Sequence, residues 1–506
     1  PFSFKILSNA TITGGTLVGV VSADVPNVNL IQSGSFAQSN VANAISVTIS
    51  DSLTGPAAAN YTLTQPANVT ANITPKTLTV TGTTVANKVY DGSTSATVTG
   101  GTLVGVLAAD TANVTLTQAG SFTAANAGTG ITTTITDSIS GSASTNYSLT
   151  QPTGVVANIT PAPLGITLSA VYSGSTTVTP TSFTLTGLVN GETISAISSA
   201  TVANINLAGN SSNFVRAIVI SGGTALASNY TFNTVASATP GTGLNTVTLA
   251  AKTLTVTGTL ADAKVYDGTT SVNVWGGSLV GVVGGDVVSL KQAGTFNSAN
   301  VASAVAVLIS DSISGASSGN YTLIQPTGVT AAITPKTLTV SDGTVAHKTY
   351  DGTTNATLTG GSLIGLIAAD VGKVTLVQAG SFSSPNVSNG IIILVNDSIT
   401  GVAASNYRLI QPIGITANIT PAMLGISVVG VANGTNNITP ISFTINGLIN
   451  GQTITGLSSV TVSSSSISSN GSNFVTGIVI SGGTALATNY TFAPAYSATS
   501  GIGQNI

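Results

Sequence analysis

The dipeptide Asn-Tyr recurs at Asn60-Tyr61, Asn146-Tyr147, Asn229-Tyr230, Asn320-Tyr321, Asn406-Tyr407 and Asn489-Tyr490, with spacings of 86, 83, 91, 86 and 83 residues. A period of this length sets the unit of folding, so the chain reads as six repeats before any local feature is weighed. The first three repeats recur 260 residues later as the last three. Four repeats, called type A, carry Gly-Gly-(Thr/Ser)-Leu and Asn-Tyr-x-Leu-x-Gln-Pro and end at Ile-Thr-Pro. Two, called type B, carry Ser182-Phe183-Thr184-Leu185, Gly187-Leu188-Val189-Asn190-Gly191 and Ser221-Gly222-Gly223-Thr224-Ala225-Leu226, or their counterparts near Ser442 and Ser481. The order is A-A-B-A-A-B, with expected boundaries at 1–75, 76–161, 162–251, 252–335, 336–421 and 422–506.

Inside a repeat the apolar period is two. Thr77-Leu78-Thr79-Val80, Val114-Thr115-Leu116-Thr117 and Ile131-Thr132-Thr133-Thr134-Ile135 are short β-rich runs between Gly, Asn, Asp and Pro turns. Turn signals every 8 to 12 residues predict an all-β chain of six tandem immunoglobulin-like antiparallel β-sandwiches. A parallel β-helix would show coils of about 20 residues, and no such shorter period is found. The Tyr of each Asn-Tyr falls where a tyrosine corner sits in immunoglobulin-like sandwiches. Ile-Thr-Pro joints between repeats restrain φ and the preceding residue, so the array is expected to form an elongated, semi-rigid rod.

The first repeat matches the others only from a point inside their opening strand, and the sixth stops before its last strand. Exposed sheet edges are normally paired or covered. Phe2, Phe4 and Ile6 alternate with Ser3 and Lys5, and are the candidate strand for joining one subunit to the next by strand addition. Head-to-tail contacts of that kind do not close and give a filament. The alternative is continuation into neighbouring repeats of a longer array.

Charge is scarce: 5% of 506 residues are charged, the net charge is -3, and Glu192 and His347 are the only Glu and His. Eleven dispersed Lys and Arg cannot build a phosphate-binding groove, so nucleic acid is not an expected partner. With no Cys there are no disulfides or thiolate metal sites. No apolar run approaches the roughly 18 residues of a transmembrane helix. A His-based nucleophile pair or a Glu-based acid-base dyad cannot be assembled along the array, so no enzyme and no cofactor are expected.

Three repeats carry Tyr-Asp-Gly: Tyr90-Asp91-Gly92, Tyr266-Asp267-Gly268 and Tyr350-Asp351-Gly352. As a site, the Asp residues would be ligands or bases. As structure, Tyr is a partly buried anchor and Asp-Gly a tight turn in which Gly takes φ > 0. The turn reading is favoured, because three repeats lack the Asp and no His or Glu recurs beside it. The B repeats have Tyr172-Ser173-Gly174 and Ala432-Asn433-Gly434 there, and the first repeat has Leu7-Ser8-Asn9. Lys88, Lys264 and Lys348, three positions earlier, suggest surface ion pairs, with a Lys-Asn isopeptide crosslink as the alternative. Asp110, Asp137 and their counterparts are spread singly, unlike a calcium site. Trp275 replaces a Thr of the other A repeats and fits a local strand contact or a sugar platform.

The Lys-x-Tyr-Asp-Gly-(Ser/Thr)-Thr segments, followed by Gly-Gly-(Thr/Ser)-Leu, Asn-Tyr-x-Leu and Ile-Thr-Pro, resemble the YDG repeats of large secreted bacterial adhesins of the filamentous-haemagglutinin type. The B repeats are similar to related immunoglobulin-like repeats of those proteins. The resemblance implies an extracellular or cell-surface stalk, fibre or biofilm component. Expected partners are other copies or neighbouring repeats, with surface glycans as a further class.

Overall fold

A computed structural model describes residues 9–506. The described chain is all-β, and its helical segments are 3-10 turns of three to six residues. It divides into two compact units. The first is Pro1–Lys252 with Val283–Asp286 and Gly319–Thr322; the second is Thr253–Val282, Val287–Ser318 and Leu323–Ile506.

Within the first unit the second repeat shows how the period-two pattern is used. Lys76–Thr81 pairs antiparallel with Thr102–Val104 and parallel with Tyr147–Thr150. Leu78 is fully buried while Thr77 and Thr79 face outward, as successive side chains of a strand must. A second sheet runs Gly120–Phe122, Gly128–Ile135, Val156–Thr160, Lys88–Val89, and its last pair is again parallel. The wholly antiparallel expectation is therefore corrected to mixed sheets. Apolar alternation reports which face is buried but not which way the neighbouring strand runs. Here the strand opening a repeat lies beside the Asn-Tyr strand arriving from about 70 residues later in the same direction.

The third repeat, also in the first unit, pairs Gly165–Val171 antiparallel with Pro180–Thr186 and parallel with Asn245–Ala250. Ile166, Leu168, Val247 and Leu249 of these strands are buried against Val202 and Val215 of the facing pair. Each such side chain contributes about 1.5–3 kcal/mol of burial. One continuous core runs from Tyr90 and Phe122 of the second repeat to Leu249 of the third.

The second unit repeats the plan. Lys336–Ser341 lies antiparallel to Ser362–Ile364 and parallel to Tyr407–Ile410. Its cores also cross repeat boundaries: one joins Tyr266 and Phe296 to Val374 and Tyr407, another Tyr350 and Phe382 to Leu424 and Tyr490. In the sixth repeat Gly425–Gly430 pairs with Pro440–Asn446. On its other edge the chain makes one bridge, Ile426 to Asn505, and the Val428 N–H donates to Ile506 O at 3.0 Å. Beside that edge lies an open cleft of about 380 Å³ lined by Val428, Gly430, Val462, Phe474 and Val475.

Candidate functional site

The Tyr-Asp-Gly segments are turns held by their own side chains. Asp91 Oδ1 accepts hydrogen bonds from the Ser93 N–H and Oγ, both at 2.9 Å, and from Lys88 Nζ at 2.8 Å. Lys88 Nζ donates also to Ser93 O and Oγ, which uses its three protons. Its Nζ lies over the ring of Phe122, 5.6 Å from the centroid. Lys264-Asp267-Thr269 and Lys348-Asp351-Thr353 repeat the arrangement over Phe296 and Phe382. The Lys88 hydrogen bond, helped by the Ser93 donors, holds the Asp91 carboxyl down at about 2, and the Lys264 bond does the same for Asp267. These lysines bond to Asp and to the turn, not to an Asn side chain. Gly92, Gly268 and Gly352 take φ of +74°, +77° and +75°, where a Cβ is disfavoured.

The turn aims the preceding tyrosine at the next repeat. Tyr90 is anchored by its N–H to Thr160 O at 2.8 Å, on the last strand of its own repeat. Its ring meets Tyr230 of the third repeat edge to face, centroids 5.7 Å apart at 80°. The two hydroxyls donate to the two oxygens of Glu192, each at 2.5 Å. Tyr172 and Tyr321, in the first unit, share Asp286 Oδ2 at 2.8 and 2.5 Å. In the second unit Tyr266 and Tyr407 share Asp370 Oδ2, and Tyr350 and Tyr490 share Gln452, which donates to one hydroxyl and accepts from the other.

Each clasp is completed by the Asn-Tyr dipeptide. Tyr230 OH accepts from the Val189 N–H, three residues before Glu192, and Tyr407 OH from the Ile367 N–H, three before Asp370. Asn229 Oδ1 accepts from the Ala127 N–H while its Nδ2 donates to Asn126 of the preceding repeat; Asn406 does the same with Val301 and Asn300. The YDG glycine closes the contact. A Cβ on Gly92 would stand 2.5 Å from Asn190 Nδ2, and one on Gly268 2.6 Å from Ile367 Cδ1. Burial, then the shared carboxylate, raises the Tyr172, Tyr230 and Tyr407 hydroxyls to about 12.

This geometry differs from a tyrosine corner, whose hydroxyl bonds a few residues upstream. The hydroxyls of the Asn-Tyr tyrosines here reach 35 to 41 residues back, to an Asp, Glu or Gln and to the loop before it. The Asn-Tyr dipeptide is thus half of a joint between repeats, and the YDG tyrosine is the other half.

A model of the YDG domain matches residues 7–69, 74–154, 250–330 and 334–414, more than half of the chain. The chain belongs to the YDG-domain family. Neither the curated proteins nor the solved structures gave a match. The four matches fall on the type A repeats, and the motif that gives the family its name is the turn that presents the clasp tyrosine.

Other candidates are placed as follows. Asp137 is buried and accepts from the Ala119 N–H, with its own N–H held by Gln151 Oε1. Among the described residues no three of His, Cys, Asp and Glu group as metal ligands would. Trp275 is 48% exposed in a two-stranded pair with Leu260, and its Nε1 donates to Asp262 Oδ1 at 2.7 Å. His347 Nδ1 accepts from the Asn418 N–H at 2.9 Å, the bond Asn87 Oδ1 accepts from Asn158. Phe2, Phe4 and Ile6 lie outside the described residues. No helix of the described chain is long and apolar enough to cross a membrane. Sequence reasoning alone misses Glu192, Asp286, Asp370 and Gln452 as partners of the tyrosines. Their signal is a polar residue about 38 positions before each Asn-Tyr, which spacing alone does not connect to the tyrosines.

Proposed function

We propose that the chain is a structural repeat region of an extracellular bacterial fibre or adhesin. Six immunoglobulin-like sandwiches, bounded near 76, 162, 252, 336 and 422, would stand in series as a rod. The observation that carries this reading is the repetition of one buried joint, Tyr–(Asp/Glu/Gln)–Tyr, four times along the chain. The tyrosines, asparagines and acceptors of the clasps keep one role from repeat to repeat, and that role is joining. A module that bound its own ligand would instead repeat an exposed cluster of aromatic or charged side chains. Electron microscopy of the purified chain tests the proposal: elongated particles with six evenly spaced densities are expected. A compact globule, or glycan-array binding by a chain with no such particles, would remove it in favour of a carbohydrate-binding adhesin.

The cleft beside Gly425–Gly430 favours an added reading, in which a further β-strand docks on that edge as Asn245–Ala250 does in the third repeat. Filaments that disappear on deletion of residues 1–6 would identify that segment of a second copy as the strand. Filaments unchanged by the deletion would exclude it.

A further inference from the structure

We infer that the first repeat carries an acceptor face for the Tyr-x-Gly turn of another YDG-type repeat, outside the six described. The inference rests on the reading of the clasps as joints, and extends it to a surface with a partner of stated chemistry.

The half-site that receives a tyrosine is already built in the first repeat. The Val21 N–H donates to Tyr61 OH at 3.1 Å, and Tyr61 OH donates to Asp24 Oδ2 at 3.0 Å. The same three groups hold Val283, Tyr321 and Asp286, and again Ile367, Tyr407 and Asp370. In those repeats the half-site is covered: Tyr321 and Tyr407 are each 6% exposed, and the preceding Asn320 and Asn406 are buried. In the first repeat Asn60 is exposed, Tyr61 is half-buried and Val21 is 62% exposed. Among the described residues Asp24 and Asp110 each receive one phenol where Asp286 and Asp370 each receive two, but Tyr147 beside Asp110 is 6% exposed and Asn146 pairs with Asn40, so the half-site of the first repeat is the uncovered one.

The occupied joints specify the partner. A partner that completes the two-tyrosine clasp supplies a phenol to the second lone pair of Asp24, a glycine two residues later so that no Cβ strikes the receiving loop, and an Asn side chain with the following N–H to pair with Asn60. The sixth repeat of a second copy does not qualify. At the positions of Tyr172 and Asn206, which serve the joint of the third repeat, it has Ala432 and Ser466. The donor is therefore a repeat with a complete turn, as in the second, fourth and fifth.

The face can be tested on the full chain labelled with fluorotyrosine, with the Tyr61 resonance assigned through Tyr61→Phe. The probe is a peptide spanning Lys264–Thr270, and the control is the same peptide with its tyrosine replaced by alanine. A saturable shift of the Tyr61 resonance by the probe, absent with the control, is expected, while the resonance of the enclosed Tyr407 stays fixed. No shift up to the solubility limit, or equal shifts with the two peptides, would overturn the inference. Neither outcome depends on whether microscopy finds a rod, so failure here is separable from failure of the structural reading.

Discussion

Tyr266 and Tyr407 meet edge to face, ring centroids 5.3 Å apart at 80°, and donate to the same oxygen, Asp370 Oδ2, at 2.8 Å each. The ring contact adds about 0.5–1.5 kcal/mol beyond burial, but the carboxylate decides whether two hydroxyls can be buried together. The joint at Gln452 performs the same task without charge, since an amide can donate to one hydroxyl and accept from the other.

Asp370→Asn should accordingly be mild and Asp370→Leu severe. The leucine leaves two buried hydroxyl donors without their acceptor, at about 1–3 kcal/mol each. Urea unfolding, with hydrogen exchange at the Ile367 N–H as a local reporter, should show early opening in the leucine variant only. Equal loss in the two variants would mean that the charge itself, and not the pairing, holds the joint.

The clasps should fail in alkali. A tyrosine raised from 10.0 to about 12 on folding, as at Tyr172, Tyr230 and Tyr407, binds its proton more tightly in the folded state. Its contribution is whole below pH 10 and is lost as pH rises toward 12. Phenolate absorbance followed with near-ultraviolet circular dichroism should therefore show a second ionisation step above the ordinary one, coincident with loss of tertiary signal. A single step near the ordinary value for all eleven tyrosines would contradict this.

Much of this is legible in the sequence because repetition amplifies weak signals. Leu78 inward and Thr77 and Thr79 outward follow from a period of two, and the turn at Asp91-Gly92 follows from side-chain chemistry that acts within five residues. What is not legible lies between positions far apart in the chain. That Lys76 runs parallel to Tyr147, or that Tyr90 reaches Glu192 across 102 residues, depends on which edge the returning strand takes. His347 shows the limit at a single residue. It reads as a tolerated surface variant of Asn87, and only the structure shows that Nδ1 takes over the Asn acceptor role toward the backbone of Asn418.

Glycine substitutions separate the turn from the joint. Gly434 has φ of +76° with no atom within 4 Å of where a Cβ would stand, so Gly434→Ala should cost only the left-handed backbone term, roughly 1–2 kcal/mol. Gly268→Ala carries the same term and also drives a methyl into Ile367 Cδ1 at 2.6 Å. Denaturant midpoints should fall further for Gly268→Ala, and Gly268→Ala combined with Ile367→Val should recover part of the difference. Equal effects of the two alanines would mean that the glycine does not sense the neighbouring repeat.

Acid should act on the turn as its carboxylate takes up a proton. Asp91, lowered from 3.8 to about 2, contributes stability that is present above pH 3.8 and is lost as pH falls through 2. The pair is half exposed on the Asp side, 52%, so its worth lies within the roughly 0–1 kcal/mol of surface ion pairs. Lys88→Met keeps an unbranched apolar side chain at this position and removes the three donated bonds, so the carboxyl of Asp91 should titrate nearer 3.8 by NMR. The variant should lose a little stability at neutral pH and show less further loss between about pH 4 and 2 than the native chain. High salt should weaken this turn while leaving the Tyr90–Glu192–Tyr230 clasp intact, because Glu192 is held by two neutral hydroxyls and, among the described residues, forms no ion pair to screen. A clasp that opened in salt alongside the turn would show that the two are a single electrostatic unit.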